Sequence, residues 1–234
     1  MAHPAAATPP DMLTVRDVLF GSTPNQVMVL RTTQDNLGQY YAEQRDTILI
    51  VIDRATGREQ QYPVYRMRSE ADFDIDPMGD RRIARAVPLA NAVDPFALLT
   101  AAGGMPLIGD GDPPAEGWNT GTAADVDGVM VLTFADGRTA RAPMAAILQQ
   151  MDATLQTTAG VLGDYSRIAP IGTADLLSGR THACRPISAR RIDDRSGTAA
   201  TAILRVDCEE DGDAGISLLT VLTMDSAADG SAAD

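Results

Sequence analysis

The residues best suited to covalent chemistry are His182 and Cys184, which lie two positions apart in the segment 181–192. That segment has the composition of a β-strand, and residues two apart on a strand project from the same face. A thiolate and an imidazolium could therefore form a nucleophilic pair. However, no glycine-bounded turn exposes Cys184, and the middle of a strand admits a substrate poorly. We keep this catalytic pair as the weaker of two interpretations.

The second cysteine, Cys208, supports the other interpretation. It ends the predicted strand 198–208, which follows 181–192 after an acidic turn. Folding the chain back about Ser196 places Cys184 and Cys208, which are equidistant from it, directly opposite each other. Opposed residues at a non-hydrogen-bonded antiparallel pair have Cα atoms about 4.5 Å apart, near the short end of the disulfide range. We therefore predict a Cys184–Cys208 disulfide.

Three alternate aspartates, Asp72, Asp74 and Asp76, begin like a calcium-binding loop. Such a loop needs glycine after the third acidic residue and a bidentate glutamate at its twelfth position. Here those positions hold Pro77 and Ile83. We therefore favour a solvated acidic turn, with a weak calcium site as the alternative.

Other catalytic patterns are missing from the sequence. The only other histidine is His3, so no His/Cys zinc cluster can be formed. Ser166 does not lie in a Gly-x-Ser-x-Gly turn, and a chain without lysine cannot form a P-loop. A carboxylate pair beneath the segment 103–128 remains open as a hydrolase site. The sequence predicts no cofactor.

The only tryptophan, Trp118, lies in the Gly/Pro/Asp-rich segment 103–128, which we predict to be a long loop. An aromatic side chain in such a loop can contact a ligand or a partner protein, or it can anchor the loop on the core. The sequence does not separate these two roles.

The net charge is −13, and all 19 basic residues are arginines. An acidic surface repels phosphate backbones and anionic lipids, so we expect no nucleic-acid partner. No apolar run is long enough to span a membrane, so we expect no integral membrane segment.

The N-terminal residues resemble an Ala/Pro leader behind a cleavage site. Together with the predicted disulfide they favour a periplasmic or secreted protein, with the cytoplasm as the alternative.

The elements expected around these residues are mostly strands. The apolar segment 47–53 predicts a strand that is buried on both faces, and 59–68 predicts its partner, with Pro63 at an edge or a bulge. An apolar stripe predicts one amphipathic helix over 143–159. The remaining predictions are the strands 27–33, 81–89, 129–134 and 216–224 and a short helix that begins after Asp94.

We predict a mainly β, α+β fold of antiparallel meanders, as a sandwich or an open barrel-like sheet, with nine or ten strands. An N-terminal half, 12–102, and a C-terminal half, 129–224, would flank the loop 103–128, or 12–224 would form one domain. The tails 1–11 and 225–234 are predicted to be disordered. The expected function is a non-catalytic extracytoplasmic module that binds a protein partner or a small ligand. The alternative is a hydrolase or thiol enzyme.

Overall fold

A computed structural model describes residues 13–37, 39, 41–76, 81–107, 119–163, 183–193, 200–209 and 215–225. These residues form twelve strands and two helices, and the predicted mainly β, α+β fold is confirmed. The elements are β1 (Leu13–Ser22), β2 (Gln26–Asp35), β3 (Ala42–Asp53), β4 (Glu59–Ala71), β5 (Arg82–Val87), α1 (Pro95–Ala101), β6 (Met105–Pro106), β7 (Asn119–Val126), β8 (Val129–Phe134), β9 (Thr139–Pro143), α2 (Met144–Leu162), β10 (Ala183–Asp193), β11 (Ala200–Glu209) and β12 (Gly215–Thr223).

The strands form one continuous sheet in the order β5-β4-β3-β2-β1-β12-β11-β10-β7-β8-β9, and the short β6 pairs with β1. Neighbouring strands are antiparallel except β1 and β12, which run parallel where Val15 and Arg16 meet Ile216 and Ser217. The sheet therefore consists of two antiparallel halves joined by the first and last strands. This junction was not predicted, because local periodicity does not specify which distant strands become neighbours.

The six strands of the C-terminal half form a closed ring. The ring closes where Ala140 of β9 bridges Met224, and the amide of Asp225 donates to the carbonyl of Thr139 at 2.8 Å. Inward-facing apolar side chains of β8, β11 and β12 form one buried cluster. The apolar stripe of α2 joins this cluster through Ile147, Met151 and Leu155.

In the N-terminal half, β3 is buried on both faces, as predicted. One face contributes Ile48, Ile50 and Ile52 to a cluster that also contains Leu162 of α2. The other face packs Leu49 and Val51 against Leu99 of α1, together with neighbouring strands. The two helices thus cover opposite faces of this half.

Pro63 lies where the sequence predicts an edge or a bulge. It is opposite Ile48, directly beside a register shift between β3 and β4. On its other side β4 pairs with β5 only from Arg66 onward, and the carbonyl of Pro63 accepts from the amide of Val93 at 2.9 Å. The proline therefore occupies a place where its missing N–H removes no ladder hydrogen bond.

The predicted loop 103–128 requires correction, because it contains β6 and β7. β7 was missed because its Gly, Ala, Thr and Asp residues carry little apolar periodicity. Its pairing with β8 brings Gly121 against the ring of Phe134, where an added Cβ would lie 2.7 Å from a ring carbon. The absence of a side chain at Gly121 allows β7 to pack closely against Phe134 of β8. This contact cannot be read from the composition of β7.

The main helix is longer than predicted. α2 ends at Leu162, with Gly163 as its C-cap, and Pro143 is its N-cap and not its first helical residue. The predicted short helix is present as α1, where the Asp94 side chain accepts from the amides of Phe96 and Ala97.

Several predictions fall outside the described residues: the tail 1–11 with His3, Trp118, Ser166 and His182, and nearly all of the tail 225–234. Neither of the two described helices is long and apolar enough to cross a membrane.

Candidate functional site

The two cysteines form the predicted disulfide. Cys184 of β10 lies directly opposite Cys208 of β11, with Cα atoms 3.9 Å apart. The simple hairpin about Ser196 is only partly right, since a bulge between Pro186 and Ser188 shifts the register further along. Between the bulge and the turn, Asp193 faces Ala200, which is one residue out of register with a fold about Ser196. The bulge restores that register, and without it Cys184 would face Glu209 in place of Cys208.

This bond changes what Cys184 can do. Its sulfur is bonded to Cys208, and Cys208 is fully buried in the apolar cluster of the ring. A nucleophile must be a thiolate, so in this state Cys184 is not one. Closing a loop with a sequence separation of 24 residues is expected to stabilise the fold by about 3 kcal/mol in the chain-entropy model.

The predicted calcium ligands lie at the turn between β4 and β5. Asp72 is buried and has its carboxylate 4.0 Å from the guanidinium of Arg81. Asp76 accepts a 2.8 Å hydrogen bond from the amide of Arg81, while its own amide donates to the carbonyl of Asp72. Within the described ranges no group of three or more His, Cys, Asp or Glu residues could hold a metal ion. These contacts close the turn from within.

A set of buried polar side chains lies between α2 and the N-terminal half of the sheet. We call it the buried polar layer, and it comprises Asp17, Arg31, Gln44, Asp46, Arg66, Thr154 and Thr158, each less than a tenth exposed. No sequence motif marks it, because its members come from five separate elements. The one local signal is the spacing of Thr154 and Thr158, which places both on one face of α2.

The first ion pair of this layer joins neighbouring strands. Arg31 Nε and Nη2 donate to the two oxygens of Asp17 at 2.7 and 2.8 Å. The same guanidinium donates through Nη1 to the hydroxyls of Thr154 and Thr158. The amide of Leu219 donates to Asp17 as well. This pair therefore ties β1, β2, β12 and α2 together.

The second ion pair joins Arg66 of β4 to Asp46 of β3, and Asp46 also accepts from Gln44 at 3.0 Å. Arg66 Nη2 donates to the carbonyl of Leu162 at 3.2 Å, at the last residue of α2. A buried charge is tolerated only when hydrogen bonds replace its lost hydration, and both pairs meet this condition. The layer fixes where α2 docks.

A different environment exists where β4 and β5 reach the end of the sheet. A cleft of about 420 Å³ is lined there by Arg68, Glu70, Ala71, Asp72, Phe73, Asp74, Ile83, Arg85 and Val87. The Phe73 ring packs edge-on against Tyr41 with centroids 4.8 Å apart. We call this region, Tyr41 and Phe73–Ile75 together with the cleft, the open corner.

The apolar side chains of the open corner are largely exposed. Tyr41, Phe73, Ile75 and Ile83 are 49%, 47%, 61% and 38% exposed, respectively. Single exposed apolar residues are common on protein surfaces, but a group of four beside one cleft is characteristic of a binding surface.

The charges of the open corner are unevenly paired. Arg68 Nε lies 2.7 Å from the Glu70 carboxylate, with both side chains about half exposed. Arg85 stands directly opposite Arg68 on the neighbouring strand, so two guanidinium groups share one face. In the described part of the chain, Arg85 has no carboxylate partner. Asp72 and Asp74 also line the cleft, so an additional anionic group would be placed by Arg85 itself and not by an excess of positive charge in the cleft.

Elsewhere, a buried arginine holds a turn of the ring. Arg191 of β10 donates to both oxygens of Asp136 in the β8–β9 turn and to Asp193 at 2.7 Å. Its guanidinium lies 5.3 Å from the centroid of Phe134. Hydrogen bonding from Arg191 lowers the pKa of Asp136 below its ordinary value.

A comparison of the chain with known proteins finds no matching family model, no matching curated protein and no matching solved structure. The function therefore has to be argued from the site itself.

Proposed function

We propose that this protein is a disulfide-stapled extracytoplasmic binding module that holds a protein partner at the open corner. The observation that carries the proposal is the combination of four exposed apolar side chains with an arginine, Arg85, that has no carboxylate partner among the described residues. Aromatic residues and arginines are the types most enriched at the energetic centres of protein interfaces.

A protein partner fits this surface better than a small ligand does. The residues of β5 from Arg82 to Ala86 are all exposed, so the cleft is bounded on one side by an uncovered strand. Small-molecule sites enclose most of the ligand surface. A surface that ends at an open strand instead leaves room for contacts beyond the cleft.

The disulfide supports an oxidising compartment, because such bonds persist in the periplasm and outside the cell. The net charge of −13 argues against a nucleic-acid partner. The enzymatic alternative built on His182 and Cys184 needs a free thiol, whereas Cys184 is bonded to Cys208.

The compartment can be tested by measuring the mass of the alkylated protein without reductant, after expression with and without an export signal. We expect both cysteines to be protected from alkylation after export. Rapid alkylation of both thiols in the exported protein would contradict the extracytoplasmic assignment.

The binding site can be tested with matched surface variants. The double variant Phe73→Ser/Ile75→Ser removes two exposed apolar side chains of the open corner, and Val126→Ser removes a comparably exposed one on β7. Each variant is used to retain partners from an extract of the exported proteome. We expect proteins retained by the native chain and by Val126→Ser to be lost with the corner variant. Equal retention by all three would overturn the proposal.

A further inference from the structure

The strand β5 ends the sheet, and among the described residues it pairs with β4 alone. An edge strand presents backbone donors and acceptors to solvent, which another chain can pair with. The far end of the sheet differs, since β9 is bridged by Met224. β5 is therefore the place where an added strand would extend the sheet.

The register identifies which groups of β5 face outward. The amide of Asp72 donates to the carbonyl of Arg81, which makes Asp72 and Arg81 a hydrogen-bonded pair. In an antiparallel ladder such pairs alternate with non-hydrogen-bonded ones. Continuing the register of β4 and β5, Ala84 and Ala86 are non-hydrogen-bonded residues, so their N–H and C=O groups point away from β4. Both have small side chains that do not obstruct an approaching chain.

The side chains of the intervening residues determine what the added strand should carry. Ile83, Arg85 and Val87 share the cleft face. In an antiparallel pair, each residue of the added strand lies directly opposite a residue of β5, with Cβ atoms about 5 Å apart. Opposite charges or two apolar side chains at such a pair stabilise the pairing. The complementary strand therefore has an acidic residue opposite Arg85 and apolar residues two positions away on each side.

Charge also argues against a second copy of β5 as the occupant. Pairing centred on Arg85 would place two arginines directly opposite each other, which is destabilising. The strand itself carries Arg82 and Arg85 and no acidic residue, so an acidic segment is complementary to β5, whereas Glu70, Asp72 and Asp74 line the cleft beside it.

On the basis of the proposed function, we infer that β5 accepts an extended segment of the partner protein with the alternation apolar–x–acidic–x–apolar, which adds to the sheet as a further antiparallel strand. Main-chain hydrogen bonds to Ala84 and Ala86 provide the pairing. The contact with Arg85 selects the acidic residue.

The test uses the full-length oxidised protein and a fluorescent peptide with the core Val-Thr-Glu-Thr-Val, titrated by anisotropy. Two further peptides are N-methylated, one at the Val and Glu positions and the other at the Thr positions. With Glu opposite Arg85, the two Thr residues lie opposite Ala84 and Ala86, and their amides face β5. We therefore expect the Thr-methylated peptide to lose binding by about tenfold or more and the Val/Glu-methylated peptide to keep it. Loss of binding by the Val/Glu-methylated peptide instead would contradict this register. Equal binding of the two, or no binding of the unmodified peptide at millimolar concentration, would overturn the inference.

Protein variants test the same point from the other side. Ala84→Pro removes an outward N–H that β4 does not use, while Ala84→Ser keeps it. We expect Ala84→Pro to weaken peptide binding by about tenfold and Ala84→Ser to leave it within about twofold. A circular dichroism melt of each variant verifies folding. Equal binding by folded Ala84→Pro and by Ala84→Ser would contradict the edge pairing.

Charge reversal tests the role of Arg85. We expect Arg85→Glu to weaken binding of the Glu peptide by about fivefold and to improve binding of a Val-Thr-Arg-Thr-Val peptide by a similar factor. Arg58→Glu, the same charge change in the exposed β3–β4 turn, is the control and should change neither. Equal effects of both variants would show that only net charge matters and would overturn the pairing with Arg85.

The outcomes separate this inference from the proposed function. If the corner variant Phe73→Ser/Ile75→Ser loses the partner while Ala84→Pro retains it, the open corner binds the partner without strand addition. In that case the proposed function stands and the inference about β5 is wrong.

Discussion

Arg66 and Arg68 lie two residues apart on the same face of β4, and their surroundings differ completely. Arg66 is 6% exposed, is paired with Asp46, and donates to the last carbonyl of α2. The side chain of Arg68 is 41% exposed and faces the cleft with Arg85. Both positions carry an arginine with a carboxylate nearby. The buried polar layer and the open corner therefore use similar chemistry in different environments.

The difference in burial between Arg66 and Arg68 arises because α2 ends between them. The helix stops at Leu162, over Arg66, and the strand continues beyond it to Arg68. Under the helix, charges must be satisfied within the protein, so they specify how the helix docks. Beyond it the charged side chains are about half exposed, although the Nε of Arg68 itself is buried, and such ion pairs contribute little to stability. Helix coverage thus separates a buried arginine that positions α2 from an exposed one that lines the cleft along one strand.

The largest expected effect is on stability in the buried layer. Arg66→Met leaves the Asp46 carboxylate buried without its cation, so we expect a loss of about 3–5 kcal/mol. Arg68→Met, the matched control, should change the free energy of unfolding by less than about 0.5 kcal/mol. Urea denaturation measures both. Similar losses in the two variants would show that helix coverage does not separate these arginines.

The disulfide gives the next largest effect and tests whether the two halves are stabilised independently. Cys184→Ala/Cys208→Ala should lose about 3 kcal/mol. Because the disulfide and Arg66 lie in different halves of the sheet, the loss should add to that of Arg66→Met within about 0.5 kcal/mol. A large departure from additivity in a double-mutant cycle would mean that the ring and the layer are coupled.

The helix side of the layer should show a smaller effect. Thr158→Val removes a buried hydroxyl that accepts from Arg31 and donates to Gln61. We expect a loss of about 1–3 kcal/mol in chemical denaturation, because buried partners become unsatisfied. Thr157→Val, an exposed neighbour on the same helix, provides the reference and should remain near the native value. If both substitutions cost the same, the cost reflects helix propensity and not the layer.

The smallest expected effect concerns pH at a surface ion pair. Hydrogen bonding from Arg191 holds the pKa of Asp136 below its ordinary 3.8 in the folded state. The contribution of this carboxylate is therefore fully present above the unfolded pKa, and it is lost as the pH falls through the lower, folded pKa. Denaturant midpoints at pH 6 and pH 3 should differ less in Asp136→Asn than in the native protein. An identical pH dependence would show that Asp136 does not contribute.

Local patterns predicted part of the molecule well. β3 was recognisable because a strand that is buried on both faces is a short continuous apolar run. α2 was recognisable because burial of one helix face spaces its apolar residues at the helical period. The disulfide was predicted from a fold about Ser196, and the pairing is right because the bulge between Pro186 and Ser188 offsets the one-residue difference at the turn. β7 was not predicted, because its residues carry little apolar periodicity. The close approach of Gly121 to the ring of Phe134 becomes visible only in the folded sheet.

The candidate site was predicted less well than the fold. Asp72, Asp74 and Asp76 were singled out as possible metal ligands, and they lie at the turn beside the open corner. The features that define the open corner, Tyr41 beside Phe73 and Arg85 opposite Arg68, join residues from different strands. The buried polar layer joins residues that are even farther apart in the sequence, since Arg31 and Thr158 are separated by 127 positions. No local spacing rule connects such residues.

Local sequence patterns were sufficient for the mainly β class, the doubly buried strand β3, the amphipathic helix and the pairing of Cys184 with Cys208. Each of these depends on a repeat or a distance within a short stretch of chain. Only the packing of distant elements established that β1 and β12 join in parallel, that α2 ends over Arg66, and that β5 is the edge of the sheet formed by the described strands. These features follow from how such elements share buried surface, and that sharing determines which of two similar arginines is buried against the helix and which is exposed at the cleft.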